Sequence, residues 1–336
     1  MRQKAPAEAP ARIPAEHTDI CTDTQAEREK AMYHFIINPR SRSGKGKDIW
    51  FEIESELIRS NAAYKKYFTR YHLQAREIAS LICAKYPEEK TIVVVGGDGT
   101  MNEVVNGLTL DGTVTLGYIP TGSSNDFARS MGIPFVPKTA LQDILSAKET
   151  VEFHCGRVTT ASESRIYVGS SGLGYDADVC RRNDWSEMKG VLNHVRLGKM
   201  SYSLIALQAL TRWKGAEVTI RRDEEEKETY SDVLFLAPMN QPYEGGGMMM
   251  SPTADIRRPG FVICLVHGIA KAKMPRLLIA TYKGAHTADP GVAELPCGKV
   301  EVEADRPLPL HVDGEYIGDY DKAVFSVCET PVRILV

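Results

Sequence analysis

The sequence predicts an α/β protein in two domains, on three observations. Residues 32–150 alternate short apolar runs with segments of helical period. Beyond about residue 150 the texture changes to short strands divided by Gly, Pro and Asp. Between these, a β-branched run from Thr91 to Val95 passes straight into a glycine turn and a helix start. The first pattern makes a parallel sheet with crossover helices and the second an antiparallel sandwich. The third makes a turn at the carboxyl edge of the sheet, where α/β proteins collect ligands.

Tyr33 to Ile37 is the first strand, and Asn38 and Pro39 end it in a turn. Arg40, Arg42, Lys45 and Lys47 follow among Ser43, Gly44 and Gly46, a flexible basic loop suited to a triphosphate. A helix near Asp48 to Asn61 sets Ile49, Ile53 and Leu57 in register, and another from Gln74 sets Ala75, Ile78, Ala79 and Ile82 before Pro87 stops it. Then comes the central strand. Gly96, Gly97 and Gly99 turn the chain after it, because glycine takes positive φ freely and lets another group lie on the backbone. Thr100 reads as a helix cap with Glu103 closing a capping box, while Met101, Val104, Val105 and Leu108 form one buried face. Val114 to Ile119 is a further strand of the same sheet. Pro120, Thr121, Gly122, Ser123, Ser124, Asn125 and Asp126 repeat the strand, turn and helix start, with the two serine hydroxyls and the Asn125 amide aimed into a cleft.

Such turns gather free N–H groups and a positive dipole end at one point, which is how a fold holds phosphate. Asp98 is the odd member. A carboxylate there repels phosphate, so it implies a divalent cation between them or a hydrogen bond to ribose. Neither Gly44-Lys45 nor Gly46-Lys47 completes a P-loop, and Asn102 stands where the Rossmann fingerprint needs its third glycine.

In the second half, strands are expected at 151–160, 165–170, 216–221, 229–237, 261–266, 299–303 and 308–312, with a charged hairpin tip at 223–228. Helices are expected from about Val191 to Trp213 and from Pro275. Segments 323–328 and 331–336 close the chain. Leu204, Ile205, Leu207, Leu210, Met248 to Met250 and Phe261 to Val266 suit an acyl pocket and equally suit a core. Asp313-Gly314 is the commonest hairpin signal, and an Asp on such a turn can also take a proton from an alcohol.

At 336 residues the chain is long enough for two cores, and a net charge of −3 argues against a nucleic-acid protein. Seven scattered cysteines read as free thiols of a reducing compartment. No run reaches the length of a membrane span, and residues 1–31, with Pro6, Pro10 and Pro14, read as a disordered tail without a secretory signal.

The run from Gly96 to Gly107, Asn38-Pro39 with Ser43-Gly44-Lys45, Pro120 to Arg129, Gly172 to Ala177, and His311 to Glu315 resemble the motifs of the diacylglycerol kinase catalytic family, in the family's order. These lipid kinases include the sphingosine kinases, and the resemblance spans about residues 32–336. It implies an α/β nucleotide-binding domain at 32–150, like those of NAD kinases and diacylglycerol kinases, and a mainly antiparallel β-sandwich lipid-substrate domain at 151–322. It also implies that the closing segments 323–328 and 331–336 return to the first domain. It implies ATP and Mg2+ as cofactors. ATP contacts then fall to Asn38, Ser43, Gly44, Lys45, Gly96, Gly97, Asp98, Gly99, Thr100, Asn102, Glu103, Thr121, Gly122, Ser123 and Asn125. Metal contacts fall to Asp98 and Asp126, with Asp313 as the base and Glu315 as its partner. The reaction implied is transfer of the γ-phosphoryl group to the primary hydroxyl of diacylglycerol. Alternatives are another lipid alcohol, such as a sphingoid base or an isoprenoid, or a silent nucleotide-binding protein. A lipid substrate implies peripheral contact with the inner face of a membrane from the cytoplasm, with homodimerisation left open. Two departures stand out: Gln74 replaces an aspartate of bacterial members, and Arg258-Pro259 replaces a metal-binding turn.

Overall fold

The computed structural model describes residues 32–185, 210 and 212–336. The expected tail and most of the expected helix at 191–213, including Leu204, Ile205 and Leu207, lie outside the described residues.

The first sheet holds β1 (Tyr33–Ile37), β2 (Tyr64–Phe68), β3 (Lys90–Gly96), β4 (Val114–Pro120), β5 (Thr150–Phe153) and β17 (Val332–Leu335), in the order β2-β1-β3-β4-β17-β5. All neighbours run parallel except β5, which is antiparallel to β17. Val93, Val94 and Val95 are consecutive and fully buried. Successive strand side chains point to opposite faces, so both faces of β3 are covered. Helices α2 (Gly46–Arg59) and α6 (Pro137–Ser146) pack together over β3 and β4, while α3 (Gln74–Lys85) and α4 (Asp98–Val105) pack together beside β1 and β3. In the second half, β8 (Ser171–Gly174), α7 (Tyr175–Trp185) and β14 (Val292–Cys297) went unread in the sequence, and in the first sheet and the helices packed on it two more elements did. One is β2, whose Lys65 and Lys66 on a half-buried edge break the apolar pattern; the other is α6, begun by Pro137.

Chain order departs from expectation at the boundary. The expected strand at 151–160 is two strands in different sheets, because β5 stays on the first and only β6 (Gly156–Thr159) joins the second. Of the closing segments, β17 lies in the first sheet, but residues 323–327 belong to β16 (Glu315–Val327) in the second, where they pair with β6. Ala323 and Phe325 are buried in the second core, which fixes that choice.

The second sheet has nine strands. Its order is β14 (Val292–Cys297), β13 (Phe261–His267), β10 (Glu228–Met239), β8 (Ser171–Gly174), β15 (Lys299–Val312), β16, β6 and β7 (Ser164–Tyr167), with β9 (Ala216–Arg222) pairing both β10 and β15. All these pairings are antiparallel. A core of Leu236, Ile263, Leu265, Val300 and Leu310 and a smaller one of Phe235, Ala237, Val262 and Cys264 divide alternate residues of the same strands between two faces. Phe261 to Val266 are therefore core. Among the described residues, α7 (Tyr175–Trp185) and α8 (Met274–Thr281) accompany this sheet, the latter with proline in its first turn. Among the described residues no helix is long and apolar enough to cross a membrane.

Candidate active site

Two turns of the first sheet touch backbone to backbone. A Cβ on Gly122 would lie 2.7 Å from the Cα of Gly97, and one on Gly97 would lie 3.0 Å from the Cα of Gly122. Glycine at both positions lets the ends of β3 and β4 form one continuous floor. Helix α4 begins at Asp98, two residues before the expected Thr100, and no side chain caps it. The capping box does not form, since both of its members are used elsewhere. The Thr100 hydroxyl accepts a hydrogen bond from Asn38 Nδ2 (3.0 Å), and Glu103 Oε2 accepts one from the Ala75 N–H (3.0 Å), capping α3 instead. First-turn amides of α4 are thereby left for a ligand.

Asp98 is turned toward the second loop. Its carboxylate accepts hydrogen bonds from the N–H groups of Asp126 (3.1 Å) and Phe127 (3.2 Å), the start of α5 (Asp126–Met131). Asp126 in turn accepts from the Gly246 N–H (2.8 Å), and its other oxygen lies 3.8 Å from Arg129 Nε. Burial, and after it the neighbouring Asp126, push the Asp98 carboxyl up to about 6. Two hard carboxylates side by side, the second raising the proton affinity of the first, fit a divalent cation. Mg2+ in particular needs only one or two such ligands besides phosphate and water. Among the described residues no cluster of three or more ligating side chains exists, so any such ion depends on this pair and its ligand.

Asp313 stands at the tip of the β15–β16 hairpin, with φ of 45° followed by Gly314 at 85°. Positive φ at both central residues is the geometry of a tight two-residue turn, so the hairpin and the placed carboxylate are one feature. Its Oδ2 accepts from Asn102 Nδ2 (2.7 Å) and the Val168 N–H (2.7 Å), and its Oδ1 from the N–H groups of Gly169 (2.8 Å) and Ser170 (2.9 Å). Burial raises its affinity for a proton, against the pull of those donors, and leaves it above the ordinary aspartate value. Asn102 thus ties α4 of the first domain to the hairpin of the second.

One cavity of about 750 Å³ is lined by Gly97, Asp98, Gly99, Gly122, Ser123, Ser124 and Asp126 on one wall, and by Val168, Gly169, Ser170, Glu244 and Asp313 on the other. Asp98 and Asp313 face the same opening. Apolar Met248, Leu278, Ile279 and Tyr282 continue the lining.

The remaining expected residues stand behind or beside this cavity. Thr121 shares a hydrogen bond with Ser41 (2.7 Å) and donates its N–H to Gly96 (2.7 Å), supporting the floor from below. Asn125 is not aimed into the cleft: in a left-handed conformation, its amide closes on the N–H and carbonyl of Gly122 within its own loop. The basic loop is helical, as α1 (Ser41–Gly44) followed by α2, and Gly44 and Lys45 lie off the cavity lining, while the side chain of Ser43 lies outside the described ones. Glu315 does not meet Asp313 through a hydrogen bond; it pairs with Arg165 (3.1 Å) and lies 3.5 Å from His72. Gln74 accepts from the Arg70 N–H within its own turn.

Sequence reading overlooked a second polar cluster. Glu244 accepts from the Ser170 hydroxyl (3.1 Å) and lies 3.6 Å from His311 Nε2, which is 3.2 Å from Asp176. His311 Nδ1 accepts from the Gly314 N–H (3.1 Å), so the proton on this ring sits on Nε2, facing the acids. Burial pushes Glu244 up to about 7; burial lowers His311, but Asp176, Glu244 and Asp313 together lift it above its ordinary value. A Cβ on Gly172 would lie 1.8 Å from Asp176 Oδ2, so that glycine makes room for the pair. The signals available in the sequence were that Asp176 and His311 fall inside the motif runs and that Tyr243 to Gly247, which holds Glu244, reads as a mobile loop near the substrate.

Residues 32–158 match the profile of the diacylglycerol kinase catalytic domain, and residues 169–336 match that of the YegS C-terminal NAD kinase beta sandwich-like domain. A Bacillus subtilis protein named as a candidate lipid kinase, YtlR, is 31% identical over 311 residues, 90% of this chain and 98% of the relative. The chain belongs to the diacylglycerol kinase catalytic family. Its first domain has the NAD kinase-like fold and its second the family's β-sandwich. A crystal structure from Bacillus anthracis, titled as a candidate diacylglycerol kinase, superposes with a TM-score of 0.73 at 19% identity, covering 91% of this chain and 95% of that one. An NAD kinase from Archaeoglobus fulgidus, solved in complex with ATP, superposes with a TM-score of 0.51 at 14% identity, covering 91% and 94%. Membership in this kinase family is thus carried by both domains.

Proposed function

We propose that this protein is an ATP-dependent lipid kinase that phosphorylates the primary hydroxyl of a lipid alcohol, with diacylglycerol as the first candidate acceptor. One observation carries the reading: Asp98 and Asp313, far apart in sequence, line one cavity whose wall also has an apolar stretch. The glycine floor and the uncapped turn of α4 receive the triphosphate. Asp98 and Asp126 are the residues that would hold Mg2+, which would neutralise phosphate charge. Asp313 receives the proton of the acceptor hydroxyl. Of its four hydrogen-bond donors only Asn102 is a side chain, so Asn102 is the one that can yield when an alcohol arrives. Met248, Leu278 and Tyr282 offer an apolar surface to the acyl chain.

Purified protein, labelled ATP and Mg2+ with mixed micelles of diacylglycerol, a sphingoid base or an isoprenoid alcohol test the reading. Transfer to diacylglycerol is expected. Transfer to another lipid would reassign the acceptor, and ATP binding without transfer to any lipid would leave a silent nucleotide-binding protein.

A further inference from the structure

Helix α8 breaks the rule that apolar helix faces are buried. Of its eight residues only Thr281 is buried; the apolar Met274, Leu277 and Leu278 are half-buried and Ile279 is exposed. Ile279 is 73% exposed, and Tyr282, just past the helix, is 58% exposed. Two exposed large apolar side chains three positions apart, continued by the half-buried Leu278, mark a contact surface. The same element is basic. Lys271, Lys273, Arg276 and Lys283 lie within and around it, and no acidic residue occurs between 270 and 288, in a chain of net charge −3. Lys273 lies 3.8 Å from Asp289, and Lys271 donates to the Trp213 carbonyl, while both remain exposed.

We infer that α8 with its flanks is a docking face for an anionic lipid surface. Charge and position commit it to that occupant. A second copy of this chain would bring two sets of four cations together, whereas acidic headgroups neutralise them. Apolar side chains between basic flanks are what an interfacial helix presents to the headgroup boundary. Leu278, Ile279 and Tyr282 also line the catalytic cavity. Docking on α8 therefore applies the cavity mouth to the layer in which a lipid acceptor resides. The inference draws its purpose from the lipid-kinase reading, but its measurement needs no turnover.

The test is cosedimentation of the full chain with vesicles of phosphatidylcholine alone, or of phosphatidylglycerol and phosphatidylcholine in equal parts, without ATP. Binding is expected on the mixed vesicles only, weakening as salt rises. The double variant Arg276→Glu and Lys283→Glu replaces exposed side chains outside the cavity. It is expected to lose about thirtyfold or more in partition, at roughly tenfold or less for each basic residue near a charged surface. Its activity on a short-chain, water-soluble acceptor should be unchanged. Ile279→Ser should weaken vesicle binding while the four cations remain. Circular dichroism and thermal midpoints equal to the parent's establish that both variants fold. Equal binding to both vesicle types, or undiminished binding by the double variant, would overturn the inference. So would sedimentation velocity showing a parent dimer that the double variant dissolves, which would give the face to a second copy. Failure of all lipid transfer with vesicle binding intact would count against the kinase reading alone.

Discussion

Asp98 holds two opposed duties in one side chain. It caps α5 through two N–H groups, which favours its charge, and it is buried beside Asp126, which opposes that charge. Opposition wins, and the folded pKa rises to about 6. For an acid raised on folding, the favourable contribution to stability is present at low pH and fades as pH climbs through that value. At the proposed metal site a divalent cation would bind ionised Asp98 and offset that loss. Mg2+ should therefore raise the thermal midpoint at about pH 8 and leave it nearly unchanged at about pH 5, where Asp98 carries its proton. Scanning calorimetry in the two buffers checks this, and an equal Mg2+ effect in both would remove Asp98 from the metal site. Asp313→Asn should cut turnover by roughly a hundredfold or more while ATP affinity stays within a few-fold. Since an amide NH2 would then face N–H donors, its melting temperature should also fall. Single-turnover kinetics with ATP titration separate the two effects. Both aspartates were legible in the sequence because each sits in a glycine turn that only a special backbone needs. Glu244 and Asp176 were not, since their meaning depends on tertiary contacts: β8 pairs with β15, while Glu244 of β11 (Tyr243–Glu244) and Asp176 of α7 reach that place only through their side chains.

Among the elements, the two glycine turns act as a single part. Gly97 and Gly122 approach through their backbones, so neither can yield to a methyl group by a side-chain rotation. Gly122→Ala should cost about 1–3 kcal/mol of stability, the usual penalty for overpacking, and should weaken ATP binding by spreading the floor. Chemical denaturation and nucleotide titration of the variant measure both, and a variant matching the parent in each would show that the contact is slack. Sequence pattern found the helix after the first turn but misplaced its start, because Thr100 and Glu103 have the spacing of a capping box. Tertiary partners claimed both residues: Asn38 bonds to the threonine and α3 to the glutamate. Periodicity cannot see such competition, as it reports only what neighbours in sequence could do for each other.

At the scale of the molecule, the two-domain plan was legible because sheets of different kind leave different textures, alternating with helices in one and with turns in the other. Their seam was less so. Residues 150–153 look like the first strand of a sandwich, yet they pair with β17, which no local signal announces. The domains meet through the cavity and through Asn102, whose hydrogen bond to Asp313 spans 211 positions of sequence. Removing residues 331–336 should strip β4 and β5 of their shared neighbour, lower the thermal midpoint and abolish ATP binding, though β1, β2 and β3 remain intact in sequence. Hydrogen exchange on the shortened chain would locate the loss, and protection in β4 equal to the parent's would show that β17 is dispensable.

The place of β17 also orders events during biosynthesis. A chain leaving the ribosome has β1 to β4 ready early, but the slot between β4 and β5 stays open until Val332 to Leu335 emerge, after every strand of the second sheet. The half that holds the glycine turns is thus completed only by residues that follow the whole second sheet, and a chain halted before Val332 leaves the first sheet open between β4 and β5.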